Sequence, residues 1–177
     1  MKQLIIKGFL LLTFIQANSG ANEKENLLAQ NFTLKNADDI SFSLSDTPDK
    51  PTILCFLSQT PDNKIGRYWM DENHKWINNL RKIYANEITV VTIKDMTNVP
   101  KWMPKSLVRK KLKGEPNRIL IDWTGSVCHQ YQIDNYFTLH ILDSEMNIVY
   151  STSEAYDNYE FKKVCENTKT LFERKKK

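Results

Sequence analysis

The chain has 177 residues, 41% hydrophobic and 26% charged, with a formal net charge of +4. That length supports one well-formed core but not comfortably two, so a single domain is expected. With only 5 glycines and 6 prolines, and no internal period of roughly 20 to 50 residues, collagen-like, low-complexity and solenoid architectures are excluded.

Lys2 and Lys7 lead into a short apolar run, Gly8 to Ile15, and Gln16 to Ala21 is small and polar. This order is that of a cleaved export signal over residues 1–21, with cleavage after Ser19 or Ala21. The apolar run is too short for a bilayer core, which needs about 20 helical residues, so no transmembrane anchor is expected once the signal is removed. No cysteine adjoins the cleavage site, so a lipid anchor is not expected either. The predicted location is periplasmic. Residues 22–30 are polar with one apolar pair and are expected to form a flexible lead-in to a domain over 31–177.

Within that domain, Phe32 to Leu34 and Ile40 to Leu44 alternate apolar with polar residues around the turn-prone Asn36 to Asp39. This predicts a β-hairpin at a sheet edge. Pro51 to Ser58 is a nearly continuous apolar run and predicts a central strand buried on both faces. From Gly66 to Asn86 apolar residues recur at spacings of three and four, the pattern of an amphipathic helix. Ile88 to Ile93 follows as a β-branched strand, completing a right-handed βαβ unit. Next comes a proline-containing loop and a short helix with Leu107, Val108 and Leu112 on one side. Arg118 to Trp123 reads as a strand, and Val127 to Ile133 as a brief helical or irregular crossover. Phe137 to Asp143 and Ile148 to Thr152 flank Ser144 to Asn147 as a second hairpin, and an amphipathic helix over Asn158 to Arg174 closes the chain.

The segment Ile119 to Val149 carries Asp122, Gly125, Tyr131, Ile133 and Asp143. It resembles the redoxin pattern of strand, Asp-x-x-Gly, a helix to Tyr-x-Ile, and a strand ending in Asp before a turn. The Gly66-Arg67 step, the proline-rich loop with its basic helix, and the carboxy-terminal block are similar to the YtfJ-type family of small periplasmic thioredoxin-like proteins. That resemblance implies an α/β thioredoxin-like fold of the redoxin variety, a central mixed sheet with helices on both faces. It also implies a protein lacking the redox cysteine pair.

Thiol-disulfide exchange needs one thiolate to attack and a second to resolve the mixed disulfide. In the fold implied by the resemblance both belong in Ser58 to Lys64, where Pro61 and Lys64 take the cysteine positions, and Phe137 stands where a facing cis-proline is usual. The 3 cysteines are Cys55, Cys128 and Cys165, in no Cys-x-x-Cys arrangement. Cys55, inside an apolar strand, and Cys165, on an apolar helix face, read as structural. Cys128, beside His129, is the one weak candidate for a reactive thiol, and a single-cysteine thiol or peroxide oxidoreductase is the alternative function. His74, His129 and His140 are too scattered to supply a metal site, and no phosphate-binding loop or nucleophile elbow occurs, so no metal or cofactor is expected. On a helix, Lys105, Arg109 and Lys113 follow a four-residue step and form one basic stripe. Such a stripe suits an anionic ligand or an envelope protein partner, while the export signal and the lack of a base-reading motif argue against nucleic acid. The function expected from sequence is a non-catalytic binding or accessory role in the cell envelope.

Overall fold

The computed structural model describes residues 27–174, apart from 48, 49, 59, 61 and 116. The export signal expected over residues 1–21 and the basic tail beyond Arg174 lie outside the described residues. Within them the order is β1 (Leu27–Leu28), β2 (Thr33–Asn36), β3 (Ser41–Ser43), a 3-10 turn (Leu44–Asp46), β4 (Thr52–Leu57), α1 (Asn63–Tyr84), β5 (Thr89–Asp95), α2 (Lys105–Lys113), β6 (Ile119–Asp122), α3 (Ser126–Gln130), β7 (Phe137–Leu142), β8 (Asn147–Thr152) and α4 (Asn158–Arg174). These strands make one eight-stranded sheet in the order β1-β8-β7-β4-β5-β6-β2-β3. β4, β5 and β6 run parallel, and β7, β8, β2 and β3 add antiparallel flanks.

Register sorts the side chains onto two faces. Cys55 pairs with Thr92 and Thr92 with Ile119, so these share a face with Ile53 and Leu57. On that face α1 and α4 pack through Trp76, Ile77, Leu80, Val164 and Leu171, and α2 packs through Val108 and Leu112 against Ile119 and Ile121. The opposite face carries Leu54, Phe56, Ile93 and Leu120, covered by Val127 and Cys128 of α3 together with Phe32 and Leu44. Helices therefore cover both faces, three on one and the short α3 on the other. All six residues of β4 are buried, which is why its sequence lacks alternation.

Polar side chains fix the two hairpin turns. Asn36 Oδ1 accepts from the backbone N–H of Asp38 at 3.0 Å and of Ile40 at 2.9 Å. Asp143 Oδ1 does the same for Glu145 and Asn147, both at 2.9 Å. Asx turns of this kind favour a local chain reversal.

Three sequence expectations need correction. The lead-in is not wholly irregular: Leu27–Leu28 forms an edge strand on β8, too short to show a period and paired with residues far along the chain. The first helix starts at Asn63, not Gly66, because Asp62 caps it by accepting the Lys64 N–H at 2.5 Å, a contact that typically stabilises by about 1 kcal/mol. Leu107 does not join Val108 and Leu112 in the interior; it is 58% exposed.

Candidate functional site

The carboxyl ends of the parallel strands and the amino end of α1 meet at one end of the sheet, the usual place for a ligand crevice in α/β folds. The Ser58 N–H donates to the Tyr136 carbonyl at 3.0 Å, tying the end of β4 to the start of β7. Thr60 Oγ1 donates to the Asp62 carbonyl at 3.0 Å, and a Cβ on Gly66 would lie 2.7 Å from that same Oγ1. A glycine is needed for the loop to fold so closely onto the helix. Lys64 sits exposed in the first turn of α1, and Pro61 lies outside the described residues. Phe137 is fully buried and stacks on Trp69 at 5.8 Å between centroids and on Trp76 at 6.5 Å. An aromatic column thus joins β7 to α1 behind this loop.

The three cysteines occupy β4, α3 and α4, and all are free. Cys55 and Cys165 lie with the core on the α1 and α4 side of the sheet, while Cys128 belongs to the core on the other side. Burial pushes the Cys55 thiol up to about 12. The Cys128 thiol is also pushed up to about 12, first by burial and then by the carboxylates of Asp122 and Asp95. Burial raises Cys165 as well. Nucleophilic thiols need the reverse, a cation or helix terminus that favours the thiolate. His129, adjacent to Cys128 in sequence, is exposed, whereas Cys128 is 4% exposed.

The residues of the Asp-x-x-Gly block perform structural tasks. Asp122 Oδ2 accepts the N–H groups of Val127 at 2.8 Å and Cys128 at 3.1 Å, satisfying the start of α3. Gly125 has φ +70°, and a Cβ there would lie 2.6 Å from Thr97 Cγ2. Tyr131 donates its hydroxyl to the Gln30 carbonyl at 2.7 Å.

Histidines are dispersed over α1, α3 and β7. His140 Nδ1 lies 2.7 Å from Ser151 Oγ, its ring is flanked by Phe56 and Tyr131, and burial pushes it down to about 4. His74 Nε2 lies 3.4 Å from Glu115 Oε2 without an aligned hydrogen bond. Among the described residues no three His, Cys, Asp or Glu side chains converge as metal ligands.

The basic stripe on α2 faces the turn between β2 and β3. Arg109 bonds Asp39, Lys113 Nζ lies 2.8 Å from Asp38, and Lys105 Nζ sits 4.9 Å from the Trp123 ring centroid. All three stripe residues thus have partners within the chain.

Sequence reasoning did not identify a groove of about 440 Å³ between the first turns of α1, the end of β5, and α2. That volume falls within the range of small-molecule pockets. Its apolar wall includes Met70, Met96, Val108 and Leu112, and its charged lining is Arg67, Asp71, Lys94, Lys111 and Glu115. Lys94 was detectable in principle. Extending the Ile88 to Ile93 strand by one residue places Lys94 two positions beyond Thr92, hence on the helix-covered face.

No protein-family model matches the chain, and no curated protein matches it in sequence. Solved structures do. A candidate thiol:disulfide interchange protein, DsbE, from Chlorobium tepidum superposes with a TM-score of 0.61 at 15% identity, over 81% of this chain and 94% of its own. The exposed lipoprotein thioredoxin Etrx1 of Streptococcus pneumoniae gives 0.59 at 18% identity, over 80% of this chain and 99% of its own. StoA of Bacillus subtilis gives 0.56 at 15% identity, over 80% and 98%. Together with the mixed sheet and its helices on both faces, these likenesses establish that the chain has the thioredoxin-like α/β fold.

Proposed function

We propose that this chain is a periplasmic thioredoxin-like protein, of the YtfJ type, that binds in the cell envelope and does not exchange disulfides. The observation that supports this reading is the placement of the sulfurs: Cys128 lies across the sheet from Cys55 and Cys165, and burial raises all three thiols. Export through residues 1–21 belongs to the same reading, as does the absence of a helix long and apolar enough to cross a membrane among the described residues. Lys105, Arg109 and Lys113 serve here as a contact region for an anionic partner, which must displace Asp38 and Asp39 to reach the latter two.

Thiol labelling tests the proposal. With a dilute alkylating reagent at pH 6, Cys128 should react about a hundredfold or more slower in the native chain than in denaturant, because the thiolate is suppressed. Rapid native labelling, or sulfenate formation at Cys128 on adding peroxide, would overturn the reading in favour of a single-cysteine oxidoreductase. Amino-terminal sequencing of the exported product should begin at Gly20 or Asn22; an intact Met1 in that fraction contradicts the cleaved signal. Changing Lys105, Arg109 and Lys113 to Glu should lower the salt needed to elute the chain from an anionic resin, and an unchanged elution removes the stripe from the proposal.

A further inference from the structure

The groove beside α1 holds an uncommon grouping. Lys94 projects from β5 onto the face that carries α1 and α2, and the carboxylates that act on its ammonium are those of Glu115 and Asp95. Burial lowers its affinity for a proton, Glu115 and Asp95 opposing that effect and Lys111 adding to it. Glu115, the stronger of the two opposing carboxylates, is also directed toward His74 at 3.4 Å. A half-buried ammonium is unfavourable unless closely paired, and native interiors generally satisfy such a group. Here a second ammonium, Lys111, lines the same groove, and Met70, Met96, Val108 and Leu112 supply apolar lining beside the charges.

We propose that this groove binds a small amphipathic carboxylate, its head between Lys94 and Lys111 and its hydrocarbon body along Met70, Met96, Val108 and Leu112. Charge selects the ligand class. Arg67, Lys94 and Lys111 line the groove together with Asp71 and Glu115, an excess of one positive charge, which suits a monoanion. A dianionic head would meet the two carboxylates at greater cost. Methionine is well suited to the apolar wall, since its unbranched thioether side chain adapts to ligands of varied shape. Volume also restricts the occupant: about 440 Å³ is of small-molecule size, below what a folded partner would need. The assignment rests on the binding role proposed above and supplies its site; it is independent of export and of the basic stripe, which lies on the α2 flank facing Asp38 and Asp39.

Calorimetric titration of the purified chain with decanoate, below its micellar concentration, tests this directly. Decanoate should bind at least about tenfold more tightly than decyltrimethylammonium of the same chain length. Lys94→Gln should weaken it about tenfold or more, the usual size for loss of a charge-assisted contact. Lys111→Gln, at an exposed position, should weaken it severalfold and carries no risk to the core. Val108→Trp should fill the groove and abolish binding, and Lys169→Gln on α4 should leave binding unchanged. Amide chemical shifts should move at Lys94, Met96 and Val108 and not at β8. Equal affinity for the two amphiphiles, unaltered affinity in the Lys94 and Lys111 variants, or no binding of decanoate at millimolar concentration would each overturn the assignment. If decanoate fails while Cys128 stays unreactive, the groove proposal falls and the binding reading stands. Fast labelling of Cys128 alongside groove-specific decanoate binding has the opposite consequence.

Discussion

The two flanks of α1 are built by opposite rules. Toward α4 the helix buries Trp76 completely, with Tyr156 edge-on at 5.2 Å and Phe161 at 5.9 Å. Most polar groups there are paired: Glu72 accepts from Lys75 at 2.5 Å and from the Tyr156 N–H at 2.8 Å, and the Tyr84 hydroxyl donates to the Cys165 carbonyl at 2.9 Å, although the Trp76 Nε1–H has no hydrogen-bond partner among the described residues. Toward α2 the same helix meets a polar seam. Asn73 Nδ2 reaches Thr92 Oγ1 at 3.4 Å and Arg81 reaches Asn117 Oδ1 at 2.5 Å, yet Asn73 Oδ1 and Asn117 Nδ2 have no hydrogen-bond partner among the described residues. One flank is dominated by aromatic packing, and the other pairs polar side chains near an open groove. This division is the pattern expected when a rigid scaffold carries a site that trades stability for function.

The largest test of that division is Trp76→Ala, which should cost about 3–5 kcal/mol in urea unfolding, as for other large core truncations. A loss under about 1 kcal/mol would show that the aromatic flank is not the source of stability. Next in size is an effect on the opposite face of the sheet. His140 has an ordinary value of 6.5 and is held near 4 in the folded chain. The unfolded chain therefore binds a proton at a pH where the folded chain does not. Stability attributable to His140 is complete above pH 6.5, declines as pH falls, and is lost near pH 4, about 3 kcal/mol in all. Stability curves of the chain and of His140→Phe should converge in shape above pH 6.5 and diverge below it; parallel curves would refute the assignment.

Smaller again is Glu72→Ala, which strands the Tyr156 N–H and should cost about 1–3 kcal/mol; a neutral result would mean that the link between α1 and the chain before α4 carries no weight. Lys94→Met tests the other flank and should have the opposite sign. Replacing this half-buried ammonium by an apolar group should stabilise the chain by about 1 kcal/mol while removing carboxylate binding. A destabilised variant would mean that Lys94 serves packing and not a ligand.

Much of this architecture was legible in the sequence because it is encoded locally. The buried run at β4, the three-and-four spacing of α1, the hairpin around Ser144 to Asn147 and the limits of α4 all follow from neighbouring residues. The lack of a Cys-x-x-Cys pair was equally plain. The reach of the stripe was not, because its partners Asp38 and Asp39 are about seventy residues away in the chain, Arg109 and Asp39 being 70 apart. Cys128 stood out beside His129 as the one weak candidate for a reactive thiol, but its surroundings depend on Asp122 and on the sheet beneath α3.

The amino-acid sequence by itself determined which segments become strands and helices and that no paired thiols could form from adjacent positions, since periodicity and spacing act over a few residues. Tertiary structure alone decided what surrounds each charge. Lys94, Lys111 and Glu115 belong to β5, α2 and the loop after it, and they line one groove with the first turns of α1 only after the strands align and the helices settle on the same face. Burial, which sets the energy of a charge and so its use, is a property of that assembled packing and of no single segment.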